Sequence, residues 1–352
     1  MGYTFNVTSL LGKLAHFAGR ATHTPATITA ETVGALADGT ELVQFTLAHE
    51  NGLEARFLNL GATLTALILP DGTNVVARLP RPEDYAANAA YLGSTVGPIA
   101  NRIADGRFAV DGEAFTVAPN EGRNVLHSGT HGYHAQVWDA HIGETDPTDP
   151  FLRLSLFSED SQRGFPSDCW ATVEIRLSAH SLDLRLEGRV DRPTHLNLTT
   201  HPYFNPTGRF DAPVDGLTLW CPGMPVPVDA EGLPIRNGEG DRTRSLTEHA
   251  PLGTRAIDNH YSIAGAGQHR LLATLTDHER YIYVHSDAPG LQVFTADTLT
   301  DIPGIVPRGA VALEPQSLPN AFGADTRADF AQPFKRIITY RLAGPGLPEL
   351  PA

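Results

Sequence analysis

The sequence predicts an all-β protein, a large antiparallel β-sandwich with very little helix. Apolar and polar residues alternate in short runs, most clearly in TVEIRL (172–177) and LDLRLEG (182–188). A period of two is typical of strands that bury one face. The 33 glycines and 27 prolines fall at short intervals along the chain, as turns between many short strands require. Many short strands joined by turns favour two packed antiparallel sheets.

The same patterns predict the individual elements. Further strands are predicted at VQFTLA (43–48), ARFLNL (55–60), TLTALIL (63–69), FLRLSLF (151–157), THLNLTT (194–200), RLLATLTD (270–277), RYIYVHS (280–286), LQVFTA (291–296), GAVALEP (309–315) and RIITYRLA (336–343). Hairpins are predicted over 104–118, with the turn at Asp111-Gly112, and over 177–186. The one predicted helix is a short one within 81–91.

No repeat or linker divides the 352 residues, so the sequence predicts a single domain over 28–345. Residues 1–27 lack a strand pattern, and we expect a loosely ordered extension there. Residues 346–352 are expected to form a tail.

Charge and cysteine content narrow the class of protein. The formal net charge is −14, and Lys and Arg form no cluster, which argues against nucleic acid and anionic membranes as partners. No apolar run approaches the roughly 18 residues of a membrane span. The two cysteines, Cys169 and Cys221, have no zinc-ligand spacing and indicate reduced thiols. The N-terminal stretch lacks a basic region and an uninterrupted apolar run. We therefore expect a cytoplasmic protein, with the periplasm as the alternative.

Two polar clusters in the first half are candidates for a site. Asn101 and Arg102 interrupt the apolar stretch GPIANRIADGRF. An arginine fork suits hydroxyls or carboxylates, but for an isolated arginine a surface ion pair is the favoured interpretation. His127, His131 and His134 lie in NEGRNVLHSGTHGYH. The glycines around them argue against a helix, so the metal signal is weak and we expect one functional histidine.

The second half contributes two more clusters. His201 follows LNLTT and precedes Pro202, so the strand is expected to end there and leave the imidazole at a cleft, walled by Tyr203 and Phe204. Glu314 is expected at the end of a strand in GAVALEPQSLPNAF, partly desolvated and hence a stronger base. Taken alone, each residue fits a structural role better than a catalytic one.

Asp258 in IDNHYSI and Gln292 in LQVFTA add hydrogen-bonding groups. Taken with the four clusters, they supply what a pocket for a polyhydroxylated ligand needs.

In this order the motifs resemble the aldose 1-epimerase (galactose mutarotase) family, over roughly residues 28–342. The matching segments are NGLEARFLNLGATLTALILPDG, ANRI, NVLHSG, RGFPSD, RPTHLNLTTHPYFNPTG, PVPVDAEGLPI, DNHY, LQVFT and LEPQSLPNAF. The resemblance implies a galactose mutarotase-like supersandwich with an open sugar cleft, acting as an isomerase on free aldohexoses such as galactose and glucose.

The resemblance also implies roles for individual residues. Glu314 matches the general base for the anomeric hydroxyl, and His201 matches the general acid for the ring oxygen. The sugar-binding positions are matched by Asn101, Arg102, His127, Asp258 and Gln292. Because anomer exchange transfers no electrons or groups, no cofactor and no metal is expected; the step needs His201 protonated while Glu314 is ionised.

Two alternatives stay open at this stage, an enzyme for hexose phosphates and a non-catalytic sugar-binding protein on the same fold. The first would need several cleft arginines, and the second is disfavoured because both the acid and the base are present. Pro98, Ser128 and Pro206 depart from the usual family pattern, which bears on sugar preference. The expected partner is a small sugar, and the expected state is a monomer or a homodimer.

Overall fold

The computed structural model describes residues 26–144, 149–235 and 242–349. The predicted extension at 1–27 lies outside the described residues except for its last two, as do the last three residues of the predicted tail. None of the described helices is long and apolar enough to cross a membrane.

The first half of the chain forms fourteen strands. They are β1 (Thr27–Ala35), β2 (Glu41–Ala48), β3 (Glu54–Leu58), β4 (Thr63–Ile68), β5 (Thr95–Val96), β6 (Arg102–Ile103), β7 (Arg107–Val110), β8 (Glu113–Thr116), β9 (Val125–Leu126), β10 (Asp139–Glu144), β11 (Pro150–Ser158), β12 (Cys169–Leu177), β13 (Ser181–Val190) and β14 (Thr194–His195).

The second half adds eleven strands. They are β15 (Thr199–Thr200), β16 (Tyr203–Phe204), β17 (Thr218–Trp220), β18 (Met224–Pro225), β19 (Asp258–Ser262), β20 (Arg270–Thr276), β21 (Tyr281–Ser286), β22 (Gly290–Phe294), β23 (Val311–Gln316), β24 (Arg327–Ala328) and β25 (Phe334–Ala343). The helices in the described residues are all short 3₁₀ turns, at Pro82–Ala87, Ala104–Gly106, Tyr133–Ala135, Asp160–Arg163, Val214–Gly216 and Arg242–Arg244.

Three sheets carry the fold. The largest has the strand order β10-β11-β12-β13-β25-β21-β20-β17, a second has β1-β2-β3-β4, and a third has β16-β23-β22-β19-β18. Every strand pairing within these three sheets is antiparallel. This confirms the predicted antiparallel β-sandwich.

One large hydrophobic core joins the three sheets. Leu184 and Ile338 of the eight-stranded sheet are fully buried in the same cluster as Phe57 of the four-stranded sheet and Val293 of the five-stranded sheet. The period-two pattern explains this, since alternate side chains of each strand point to the same side. The other face of the five-stranded sheet is thereby left for polar residues.

The local predictions held where short-range chemistry decides the structure. The hairpin over 104–118 turns at Asp111 and Gly112, whose φ values of 51° and 87° are those that an Asp-Gly turn adopts. The predicted helix is present as a six-residue 3₁₀ helix at Pro82–Ala87, shorter than the predicted range.

THLNLTT is not one strand but two short ones, β14 and β15. Its leucines are nevertheless buried, so burial rather than a continuous ladder produced the strand-like pattern.

Candidate active site

The five-stranded sheet brings three predicted residues to one face. Gln292 pairs with Glu314 across β22 and β23, and Asp258 pairs with Phe294 one row further along β19 and β22. Residues two apart on a strand share a face, so the side chains of Asp258, Gln292 and Glu314 all point away from the core.

Glu314 does not stand at a strand end, as the sequence suggested. It is the fourth of six residues in β23, and Pro315 remains in register opposite Leu291. A proline removes one ladder donor but does not end a strand whose other groups stay paired. The carboxylate is therefore fixed more rigidly than a strand terminus would fix it.

The seven predicted site residues meet at one cavity of about 360 Å³. The predicted set that lines it is Asn101, Arg102, His127, His201, Asp258, Gln292 and Glu314. Of the other two candidate histidines, His131 is exposed, and His134 packs edge-on against Tyr91, 4.6 Å away between ring centroids. Of the three histidines in that cluster, His127 is thus the one that lines the cavity.

His201 and Glu314 are in contact on the inner wall of the cavity. His201 Nε2 lies 3.4 Å from Glu314 Oε1, and the side chains are 5% and 2% exposed. As predicted, the ladder breaks at His201, between β15 and β16. Its backbone N–H donates to Ser94 at 2.9 Å, which fixes the histidine in place.

Burial opposes the charged form of both partners. It lowers the pKa of His201 to about 4 and raises the pKa of Glu314 well above its ordinary value, with further help from the negative charge of Asp258. Among the described residues, His201 Nδ1 and Glu314 Oε2 are buried without a hydrogen-bond partner. Such atoms are rare in folded proteins, and here they suit a polar ligand that would complete them.

His127 is held in one tautomer by Asn101. The backbone N–H of Asn101 donates to His127 Nδ1 at 3.1 Å, so the ring hydrogen is assigned to Nε2. Burial, then the neighbouring His201, lowers the pKa of His127 well below 6.5. His127 is accordingly a neutral hydrogen-bond donor.

The backbone at this corner is unusual. Asn101, His127 and Ser128 have φ values of 63°, 48° and 67°, in the left-handed region that glycine adopts most readily. This explains why a glycine would suit position 128. The side chain of Ser128 offsets the cost of this backbone conformation with two hydrogen bonds to Ile99. Its Oγ accepts from the Ile99 N–H at 2.8 Å and donates to the Ile99 carbonyl at 2.9 Å.

Arg102 forms an ion pair, but inside the cleft and not on the open surface. Its Nε and Nη2 donate to the two oxygens of Glu121 at 2.7 and 2.9 Å, and its Nη1 lies 3.5 Å from Asp258. Asp258 in turn accepts from Gln292 Nε2 at 2.6 Å. A continuous polar network therefore crosses the cleft floor.

The structure corrects the prediction that Phe204 lines the cleft, and it adds Glu121 to the residues that do. Tyr203 stacks on His201 with ring centroids 4.9 Å apart, as expected. Phe204 faces the opposite way, into the core against Tyr340, because neighbouring strand residues point to opposite sides. Glu121 also lines the cavity; it lies in the stretch NEGRNVLHSGTHGYH, where the histidines and not the glutamate were the candidates.

Three side chains of the cavity could also coordinate a metal ion. His127, His201 and Glu314 offer ligand atoms within 4.8 Å of one another, a donor set that suits divalent transition metals. The sequence predicts no metal at this site.

A buried histidine in contact with a buried glutamate, set among hydrogen-bonding groups in a small cavity, is an arrangement that suits proton transfer to and from a polar ligand. Comparisons with known proteins identify the family of the chain. The family model described as aldose 1-epimerase matches residues 43–332. The chain therefore belongs to the aldose 1-epimerase family, a family of isomerases.

Individual relatives agree over most of the chain. An aldose 1-epimerase of Escherichia coli is 29% identical over 318 residues, covering 83% of this chain and 90% of that protein. A galactose mutarotase of Bos taurus is 26% identical, covering 84% and 91%. The crystal structure of a galactose 1-epimerase from Lactobacillus acidophilus superposes with a TM-score of 0.80 at 25% identity, covering 90% of this chain and 99% of that one. These matches confirm the predicted galactose mutarotase-like fold.

Proposed function

We propose that this protein interconverts the α and β anomers of free aldohexoses such as galactose and glucose by opening and closing the sugar ring. The observation that carries the proposal is the 3.4 Å contact between His201 and Glu314 in a cavity that they share with five hydrogen-bonding residues. The cavity, at about 360 Å³, is within the range of small-molecule sites.

In the proposed reaction Glu314 takes the proton of the anomeric hydroxyl while His201 gives a proton to the ring oxygen. The bond between the ring oxygen and the anomeric carbon breaks, and an aldehyde forms. After rotation about the adjacent carbon–carbon bond, His201 removes the proton from the former ring oxygen and Glu314 returns its proton to the aldehyde oxygen. Closure on the other face of the aldehyde gives the opposite anomer, and both side chains return to their initial protonation states.

The buried setting supports this direction of proton transfer. The form that reacts has His201 protonated and Glu314 ionised, and because burial lowers the pKa of His201 and raises that of Glu314, this charged pair is a minor, high-energy protonation state of the site. The transfer leaves a neutral imidazole and a neutral carboxyl group, the forms that burial favours. The loss of both buried charges therefore contributes favourably to the ring-opening step.

The remaining residues are proposed to hold the sugar hydroxyls. His127 presents its Nε2 hydrogen, because Nδ1 is occupied by Asn101. Gln292 has a buried Oε1 without a partner in the described residues. Arg102 and Asp258 hold one another in the cleft and offer a donor and an acceptor at its floor.

Charge in the cleft favours a neutral sugar over a hexose phosphate. Of the described residues that line the cavity, Arg102 is the one permanent cation, and Glu121 is paired with it. The carboxylates of Asp258, Asp297 and Glu314 line the same cavity. An added phosphate would meet net negative charge there.

Polarimetry with fresh α-D-galactose, α-D-glucose and galactose 6-phosphate tests the proposal. We expect the protein to accelerate the change in optical rotation of both neutral sugars. We expect kcat/KM for galactose 6-phosphate to be at least about tenfold lower than for galactose. No acceleration of any sugar would support a non-catalytic sugar-binding protein, and faster turnover of the phosphate would support the hexose-phosphate enzyme.

The compartment, the domain bounds and the oligomeric state of the protein are also proposals. A cytoplasmic setting is supported by Cys169 and Cys221, which are both free and buried. We retain a single domain over 28–345 and a monomer or homodimer as proposals, which size-exclusion chromatography with light scattering and limited proteolysis would test.

A further inference from the structure

Tyr91 lines the cleft and has no role in the mechanism described so far. Its ring centroid lies 4.5 Å from that of His127 and 6.2 Å from that of His201, and it runs nearly parallel to the latter ring. The phenol ring thus borders both imidazoles that face the sugar cavity.

The backbone of Tyr91 is held in a conformation that aromatic residues seldom adopt. Its φ is 57°, in the left-handed region where a bulky residue is strained. The surroundings hold it there: the N–H of Tyr91 donates to Asn88, and Ser94 donates to the carbonyl of Tyr91, both at 3.0 Å. The Asn88 side chain also bonds both backbone groups of Leu92. Strain of this kind concentrates at functional sites.

The strained segment is bonded directly to the proposed general acid. The N–H of Gly93 donates to the carbonyl of His201 at 2.9 Å, and the N–H of His201 donates to Ser94 at 2.9 Å. Tyr91 is therefore placed relative to His201 by two backbone hydrogen bonds within three residues of it.

The phenol oxygen has capacity to spare. It accepts one hydrogen bond, from Asn120 Nδ2 at 3.3 Å, and Asn120 is itself held by the N–H of Leu126 at 2.7 Å. In the part of the chain that the structure describes, the Tyr91 hydroxyl has no acceptor for its own hydrogen. A donor at the edge of a sugar cleft is thus available.

We propose that Tyr91 is a sugar-binding residue, whose ring forms a wall of the cleft and whose hydroxyl donates a hydrogen bond to one sugar hydroxyl. This inference rests on the proposed function. The C–H faces of a pyranose are apolar and pack against an aromatic ring, while the hydroxyl fixes the rotation of the sugar in the site.

The test is Tyr91→Phe, assayed by polarimetry on galactose and on a set of monodeoxy galactoses, each lacking one hydroxyl. With galactose we expect KM to rise about threefold to tenfold, the value of one neutral hydrogen bond, with kcat nearly unchanged. For one deoxy sugar, the one that lacks the bonded hydroxyl, Tyr91→Phe should cause no further loss.

Tyr85→Phe is the matched control. Tyr85 lies six residues away, is buried, and accepts the N–H of Leu79 at 3.1 Å, but it does not line the cavity. We expect this variant to melt at a lower temperature with an unchanged KM, and Tyr91→Phe to keep the wild-type melting temperature.

The possible failures are distinguishable. A wild-type protein that does not accelerate galactose mutarotation would refute the proposed function itself. An active wild type with an unchanged KM in Tyr91→Phe would overturn the Tyr91 proposal alone. If Tyr91→Phe raised KM equally for galactose and for every deoxy sugar, the proposed hydrogen bond from the Tyr91 hydroxyl to one sugar hydroxyl would be overturned.

Discussion

Replacing Glu314 by glutamine keeps the shape of the side chain and removes the proposed base. Glu314 is 2% exposed and touches His201, and the nearest carboxylate on the same sheet face, Asp258, is already bonded to Gln292. No other described acid is placed to take over its role. General-base catalysis contributes about 10²–10⁴-fold, so we expect kcat for galactose to fall by that factor.

The structure also predicts a change in stability for the same variant. Because burial raises the pKa of Glu314 in the folded protein, the ionised carboxylate destabilises the fold above its unfolded pKa of about 4.3. Each tenfold change in that protonation equilibrium corresponds to about 1.4 kcal/mol. Glu314→Gln should therefore unfold at a higher urea concentration than wild type at pH 7, and this advantage should disappear near pH 4.

Polarimetric initial rates and urea unfolding at both pH values check these expectations. Glu187→Gln, a change of the same kind on the exposed side of β13, serves as the control and should leave the rate unchanged. A Glu314→Gln enzyme within tenfold of the wild-type kcat would refute the reasoning, and so would a variant less stable than wild type at pH 7.

Further predictions concern metal, acid stability and the cleft network. Dialysis against EDTA should leave mutarotation rates unchanged, although His127, His201 and Glu314 lie close enough to share a cation; lost activity restored by zinc would contradict this. Burial lowers the pKa of His134 to about 4 and that of His260 to about 3, below the unfolded value of about 6.5. The stability that these neutral histidines contribute is present above pH 6.5 and is lost as the pH falls, towards 4 for His134 and towards 3 for His260, by roughly 2 kcal/mol each at pH 5. An unchanged urea midpoint at pH 5 would contradict this prediction. Glu121→Gln should raise KM more than it lowers kcat, because the variant removes the carboxylate that holds Arg102 through two hydrogen bonds. Steady-state kinetics in which kcat falls more than KM rises would instead indicate that Glu121 takes part in proton transfer.

The fold was predictable where side chains alternate or turn chemistry is strong. β12 and β13 bury every second residue, and Asp111-Gly112 makes its hairpin from local preferences alone. The segment 194–200 was not predictable in detail, because its leucines are buried by tertiary packing while most of its backbone pairs outside a continuous ladder.

The proposed catalytic residues could be suggested from their motifs, but their geometry could not. The pairing of Gln292 with Glu314 depends on strand register, and the contact of Glu314 with His201 joins residues more than 100 positions apart. Glu121 lies in the stretch of the histidine cluster and Tyr91 at the end of the predicted helix, but no motif or spacing singled out either residue. The roles proposed for them rest on an ion pair and a positive φ that only the folded chain displays.

His201 and Glu314 are proposed to exchange protons with the sugar as one unit. The most direct test measures kcat for wild type, Glu314→Gln, His201→Asn and the double variant in the same polarimetric assay. Residues that act as a unit give non-additive losses, so we expect the double variant to be about as slow as the slower single variant. A double variant whose loss equals the product of the two single losses would contradict the account.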